Sequence, residues 1–342
     1  MPPQRPASTA AEALSAYSDT VSADAPIAAV PDGLLNDTYA VGQPPMFALQ
    51  LVAARFNDIH NERMELVART VAKGGMPAPE LMRTASGQLS HPGPHGRRWR
   101  LCRWLPGTVH HSIPSTDHAN SAAAALARFH DILLGDARTR RLPASSFHDT
   151  ARYMLVLRRV LAKADREVGG VGRAILNAWD RAQTDSPGPA PWRPGHGDMK
   201  ISNVLFQGGR ASALIDLDTV AGHCLADDLG DALRSWCNRL DENSAAPDFD
   251  SEVFAASVDG YLGASRTISL REKQSIVPGT IRIALELASR FCADGVMQSY
   301  FAWDQSIAPD ARGHNLLRAR GQLALANELA RRRDELNRYV GV

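Results

Sequence analysis

Lysine is nearly missing from this chain. Only Lys73, Lys163, Lys200 and Lys273 occur, so arginine supplies almost all of the 38 basic side chains. A charge excess is missing too. With 37 acidic residues the formal net charge is +1, which gives no reason to expect a nucleic acid or an acidic membrane surface as partner. The four cysteines, Cys102, Cys224, Cys237 and Cys292, form no C-x-x-C pair. Their spacing suits neither zinc nor a disulfide framework, so reduced, buried thiols in a cytosolic protein are expected. The eleven histidines are scattered and suggest no metal cluster. The N-terminal stretch has Arg5 as its only positive charge and no continuous apolar core, unlike a signal peptide. No apolar run reaches the roughly 18 residues of a membrane span, and no internal repeat is found. The expectation is a cytoplasmic, soluble protein.

What the chain does have is 342 residues that are 44% hydrophobic, enough for one large or two moderate domains. Its most informative segment is His196-Gly197-Asp198-Met199-Lys200-Ile201-Ser202-Asn203, which spells H-x-D-x-K-x-x-N. Ile215-Asp216-Leu217-Asp218 follows. The order reads as a kinase-type catalytic loop and a metal-holding aspartate. Phosphoryl transfer asks the protein for a carboxylate that orients the acceptor hydroxyl and for Mg²⁺ that neutralises phosphate oxygens. Asp198 is the candidate for the first role. Asn203 and Asp216 are hard oxygen ligands of the kind Mg²⁺ prefers. Lys200 lies two residues past Asp198 and leaves an extended loop on the same side, where it would touch the moving phosphoryl. Val204-Leu205-Phe206 and Ala213-Leu214-Ile215 flank Gln207-Gly208-Gly209-Arg210, the pattern of a β-hairpin that brings Asn203 and Asp216 together.

Coarser patterning places the rest. Thr9-Ala10-Ala11-Glu12 resembles a capping box before a short helix. Strands are expected over 26–52, with Asn36 and Thr38 in a turn able to cover phosphates. Residues 57–73 read as a helix with Ile59, Met64, Val67 and Val71 near one face. Residues 98–105 alternate like a strand that Pro106-Gly107 ends. Helices are expected at 117–134, 150–167, 275–303 and 311–338, and a Pro/Gly linker at 187–195. The acidic stretch holding Asp241, Glu242, Asp248, Asp250 and Glu252 follows the metal motif.

These segments resemble the aminoglycoside phosphotransferase-like kinases, which include choline and homoserine kinases. The hallmarks are His196-Gly197-Asp198 to Asn203, Ile215-Asp216 and Asp228-Leu229-Gly230, with Leu126-Ala127-Arg128-Phe129-His130 and Leu105-Pro106-Gly107 beside them. Within the group the chain is most similar to N-acetylhexosamine 1-kinases, through Asn36-Asp37-Thr38-Tyr39-Ala40-Val41, Ile215-Asp216-Leu217-Asp218-Thr219, Arg290-Phe291 with Asp294, and Tyr300-Phe301. The resemblance implies an α+β, protein-kinase-like fold of two lobes: an extension with a short helix (1–25), a small β-rich N-lobe (26–105) and a larger, mainly helical C-lobe (106–342). It implies ATP and Mg²⁺, with adenine against the backbone of Arg103, Trp104 and Leu105. It also implies a small-molecule acceptor, an amino sugar, whose anomeric hydroxyl faces Asp198 and which Thr219, Arg290 and Tyr300 hold. A monomer or homodimer is expected. One departure stands out. Protein kinases carry a strand lysine on the phosphates, paired with a helix glutamate; here the matching strand offers Gln50-Leu51, and Lys73 is at a helix end. Arg55, paired with Glu62 or Glu65, is the candidate substitute. The alternatives are an aminoglycoside- or choline-type acceptor and a pseudokinase that only binds.

Overall fold

The structure, a computed structural model, describes residues 7–30, 36–184 and 191–342. Part of the expected phosphate-covering turn (31–35) and part of the expected linker (187–190) lie outside the described residues.

The N-terminal third is an antiparallel sheet. Strands β1 (Ile27–Val30), β2 (Asp37–Val41), β3 (Phe47–Val52) and β6 (Arg98–Arg103) are neighbours in that order. The two-residue strands β4 (Leu81–Met82) and β5 (His91–Pro92) both pair with β6. Side chains alternate between the two faces. Phe47, Leu49 and Leu51 of β3 and Trp99 and Leu101 of β6 pack on Ala10, Ala13, Leu14 and Tyr17, which belong to α1 (Ala7–Ser15) and the turn after it. The Tyr17 hydroxyl donates to Trp99 O at 3.1 Å. The opposite face carries Gln50, Arg100 and Cys102. It looks toward helix α2 (Asp58–Lys73) and the rest of the molecule. Helix α2 begins at its N-cap Asn57 in a capping box with His60. It buries Met64, Val67 and Val71, while Ile59 is 55% exposed. Thr9 is inside α1 rather than at its cap, because the helix starts at Ala7.

The rest is mainly helical. Helix α3 (Thr116–Gly135) runs from β7 (Thr108–Val109) and packs against α7 (Ser251–Ala264). The expected helix at 150–167 is two helices, α4 (Thr150–Val160) and α5 (Arg166–Thr184), separated by a 3-10 turn at Leu161–Lys163. Two small β units carry the motif residues. Strand β8 (Trp192–Gly195) pairs with β11 (Ala221–Cys224), and the hairpin β9 (Val204–Gln207) and β10 (Arg210–Leu214) adds β7 at its edge. Helix α6 (Leu225–Trp236) follows. Helix α8 (Leu270–Met297) is central and contacts α4, α5, α6 and α9 (Ala311–Arg331). The expected 311–338 helix breaks at Arg332, after which α10 (Arg333–Val340) begins. Among the described residues no helix is long and apolar enough to cross a membrane.

Candidate active site

The H-x-D loop leaves β8 through Gly197, whose φ of +85° favours glycine. A Cβ there would lie 2.8 Å from both His223 Nε2 and Thr219 O. Two carboxylates of α6 hold the loop's amides. Asp228 accepts from His196 N at 2.7 Å and Gly197 N at 2.5 Å; Asp231 accepts from Met199 N at 2.9 Å. Burial opposes the charge of Asp228, but hydrogen-bonded His130, with His223 and His196, holds its carboxyl well below the usual range. The His196 ring bonds Ile215 O at 2.9 Å and so ties the loop to the hairpin.

The residues singled out for chemistry converge. Lys200 Nζ lies 3.3 Å from Asp198 Oδ2. Asn203 Nδ2 donates to Asp198 O at 2.7 Å and approaches Asp198 Oδ2 at 3.4 Å, which leaves Asn203 Oδ1 for a cation. Ile215 N donates to Asn203 O at 2.9 Å, so the hairpin sets Asp216 beside Asn203. Asp216 takes a left-handed conformation, φ +62°. Burial, then the carboxylates of Asp218 and Asp198, push its carboxyl up to about 7, against Lys200 and Arg100. Such crowding of acid groups is what a divalent cation relieves. Among the described residues no three His, Cys, Asp or Glu side chains could hold a metal.

Sequence reasoning missed the residue that carries positive charge from the sheet. Arg100 sits opposite Gln50 in the β3–β6 register. Its Nε donates to Gln50 Oε1 at 2.9 Å, and its two terminal nitrogens grip Asp218. Asn36 Nδ2 donates to the same carboxylate at 2.8 Å, and Asn36 Oδ1 accepts from Ala53 N at 3.1 Å. Arg100 and Asp218 are both buried. Burial opposes the charge on Asp218, but Arg100 and then Asn36 bring its carboxyl below the usual range. The strand without a lysine thus lies beside one whose arginine, Arg100, reaches Asp218. The period-2 pattern Arg98-Trp99-Arg100-Leu101 was the available signal: it aims Arg100 at the face opposite Trp99. Thr38 Oγ1 accepts from Gln50 Nε2 at 3.3 Å.

Arg55 corrects an expectation. It pairs with neither Glu62 nor Glu65; Glu65 binds Arg83 and Arg69. Arg55 lies over the Phe56 and Tyr300 rings, 5.1 and 5.5 Å from their centroids, and its Nη1 is 3.4 Å from the Tyr300 hydroxyl. Arg290 Nη2 approaches the same hydroxyl at 3.4 Å and stacks among Phe147, Tyr153, Tyr300 and Phe301. The Tyr300 loop is fixed by Asp294, whose carboxylate accepts from Ser299 N, Tyr300 N, Phe301 N and Asn315 Nδ2. Thr219 does not join this group: its hydroxyl donates to His196 O at 2.7 Å, bracing the loop. At the end of β6, Arg103 N donates to Glu80 O and Trp104 N to Met46 O. The backbone N–H groups of Arg103 and Trp104 are therefore engaged within the sheet.

Residues 26–261 match the phosphotransferase enzyme family, APH. The chain belongs to that family. It is 28% identical over 206 residues to a homoserine kinase of Granulibacter bethesdensis, covering 60% of this chain and 61% of that protein. It spans about three fifths of the length of this and two further homoserine kinases that it matches. The fold is similar to a microcompartment-associated aminopropanol kinase, with TM-score 0.67, 17% identity and 96% and 98% of the two chains covered. It is also similar to an aminoglycoside phosphotransferase from Alicyclobacillus acidocaldarius, with TM-score 0.63, 16% identity and 98% of each chain covered. The two-lobed kinase-like architecture is thereby shared across nearly the whole chain.

Proposed function

We propose that the protein transfers the γ-phosphoryl group of ATP to a hydroxyl of a small molecule, and that the acceptor is an N-acetylhexosamine phosphorylated at its anomeric hydroxyl. The observation that carries the reaction class is the meeting of Asp198, Lys200, Asn203 and Asp216 at one point between the sheet and the helices. Asn203 and Asp216 would hold Mg²⁺, which when bound neutralises the phosphate oxygens. Asp198 accepts the hydroxyl's proton as the oxygen attacks, and Lys200 stays beside it to meet charge on the moving phosphoryl. Burial opposes the ammonium, but Asp198 and Asp216 raise the Lys200 pKa above its ordinary value, so it stays a cation. Such catalysis rests on positioning and electrostatics. In this reading residues 26–105 are the nucleotide-covering lobe and 106–342 carry the metal and acceptor sites.

The acceptor assignment is supported by the donors around Tyr300. Arg55 and Arg290 offer N–H groups to hydroxyl or acetamide oxygens, and Phe147, Tyr153 and Phe301 offer ring faces. A quaternary ammonium or aminoglycoside wants carboxylates instead. Three acidic residues at 241–252 are engaged elsewhere: Glu242 with Arg234, Asp250 with Arg239 and the start of α7, Asp241 with Asn243. A second reading has its own support. The two guanidinium groups would also take a carboxylate, and the curated relatives are named homoserine kinases. An assay of Mg²⁺-dependent ADP release with N-acetylglucosamine, N-acetylgalactosamine, homoserine, choline and an aminoglycoside decides, with phosphorus NMR locating the product phosphate. Preference for homoserine replaces the sugar. The absence of both ADP release and Mg²⁺-dependent ATP binding leaves only a binding module.

A further inference from the structure

His148 and Glu286 lie outside every motif, yet they meet under the catalytic loop. His148 precedes α4 and is buried, as is Glu286 of α8. The ring spends both nitrogens: Nδ1 is 3.1 Å from Glu286 Oε1 and Nε2 is 3.0 Å from Gly197 O. A peptide carbonyl only accepts, and an ionised carboxylate only accepts, so both ring nitrogens must carry protons. The partners therefore select the imidazolium. Gly197 is the residue before Asp198. Glu286 also accepts the Thr150 hydroxyl at 2.6 Å, and Arg290 Nη1 lies 3.8 Å from Glu286 Oε1. One carboxylate thus faces the loop through His148 and the Tyr300 group through Arg290.

We propose that His148 is a positioning residue: a buried imidazolium that fixes Gly197 and with it Asp198, while Glu286, shared with Arg290, couples that loop to the acceptor side. This rests on the reading of Asp198 as the carboxylate that meets the acceptor hydroxyl. The surroundings agree in sign. Burial disfavours the charge, but Glu286 and, behind it, Asp231 and Asp227 of α6 raise His148 to about 9. His223 of β11, with its ring centroid 5.8 Å away, is lowered by burial and by His148. Arg290 and Tyr153 face Glu286 from the other side and leave the carboxylate between two cations. The sign follows: the arrangement is complete below the ordinary histidine range and is lost as pH rises through about 9.

The test has two arms on the full chain. Histidine ring NMR, with the His148 signal assigned by its loss in His148→Gln, should show an imidazolium at pH 7.5. In Glu286→Gln the titration should fall by about one unit or more, since a neutral amide no longer holds the charge. A neutral His148 ring in the native protein at pH 7 overturns the proposal whether or not an acceptor is known. In the second arm, ADP release from Mg-ATP with the most active acceptor of the panel is followed against pH, or without acceptor if none is active. His148→Gln should lose about 10- to 100-fold in kcat with KM for ATP unchanged. Wild-type turnover should fall above about pH 9, and Glu286→Gln should bring that fall to lower pH. An upper limb that stays in place in Glu286→Gln, or wild-type kcat in His148→Gln, removes the positioning role. Thermal melts of both variants separate these results from unfolding.

Discussion

At the scale of single residues, two charges divide the work. Asp198 lies at the centre of the proposed chemistry, and Asp198→Asn should lower turnover by roughly 10²-fold or more, the usual worth of a general base, while Mg-ATP binding persists by calorimetry. Arg100 acts through Asp218. Arg100→Met strands a buried carboxylate and should cost about 3–5 kcal/mol of stability. Asp218→Leu added to it should recover part of that loss, read from denaturant unfolding of both singles and the double. The contrast explains what the sequence disclosed. Asp198, Lys200 and Asn203 lie within six consecutive residues, so their spacing alone announces them. Arg100 and Asp218 are 118 positions apart, and His148 and Gly197 are 49 apart. Nothing local marks such partners. Arg55 illustrates the same limit in reverse: its expected pairing with Glu62 or Glu65 does not form, and the fold sets it over Tyr300.

Among the elements, the crossing of α6 and α8 sets the site most directly, since α6 supplies Asp228 and Asp231 and α8 supplies Glu286 and Arg290. The helices touch through glycines. A Cβ on Gly279 would sit 2.2 Å from Ala226 O, and one on Gly230 would sit 2.9 Å from Gly279 C. Gly279→Ala should therefore destabilise by about 1–3 kcal/mol. Gly170→Ala in α5, where a Cβ meets nothing within 4 Å, should stabilise by about 0.5–1 kcal/mol. Paired denaturant melts check both signs. Element identity was readable wherever a periodic run was bounded by Gly or Pro, as in α2 and the β9–β10 hairpin. The division of 150–167 was not, because the 3-10 turn at Leu161–Lys163 continues the apolar periodicity. The break at Arg332 lies within a uniformly charged face and sends no signal either.

Across the whole molecule, the sheet and the helical body meet over Asp218, which Arg100 and Asn36 hold from the sheet side. Nucleotide and metal binding at that seam should stabilise the fold. Mg-ATP at 100 times its dissociation constant should add about 2.7 kcal/mol, seen as a raised melting temperature that EDTA reverses and that Asp216→Ala lacks. The two-lobed plan was legible because strands fill the first third and long helices the remainder. The placement of positive charge was not, because Arg100 of β6 is buried against Asp218, 118 positions away. That placement has a chemical consequence. A nucleotide-derived electrophile that acylates amines would find no lysine on β3 or β6, where Gln50 and the buried Arg100 stand. In the proposed reaction Lys200, beside Asp198, would be the amine in reach, so covalent tagging by such reagents should map to the peptide that contains it.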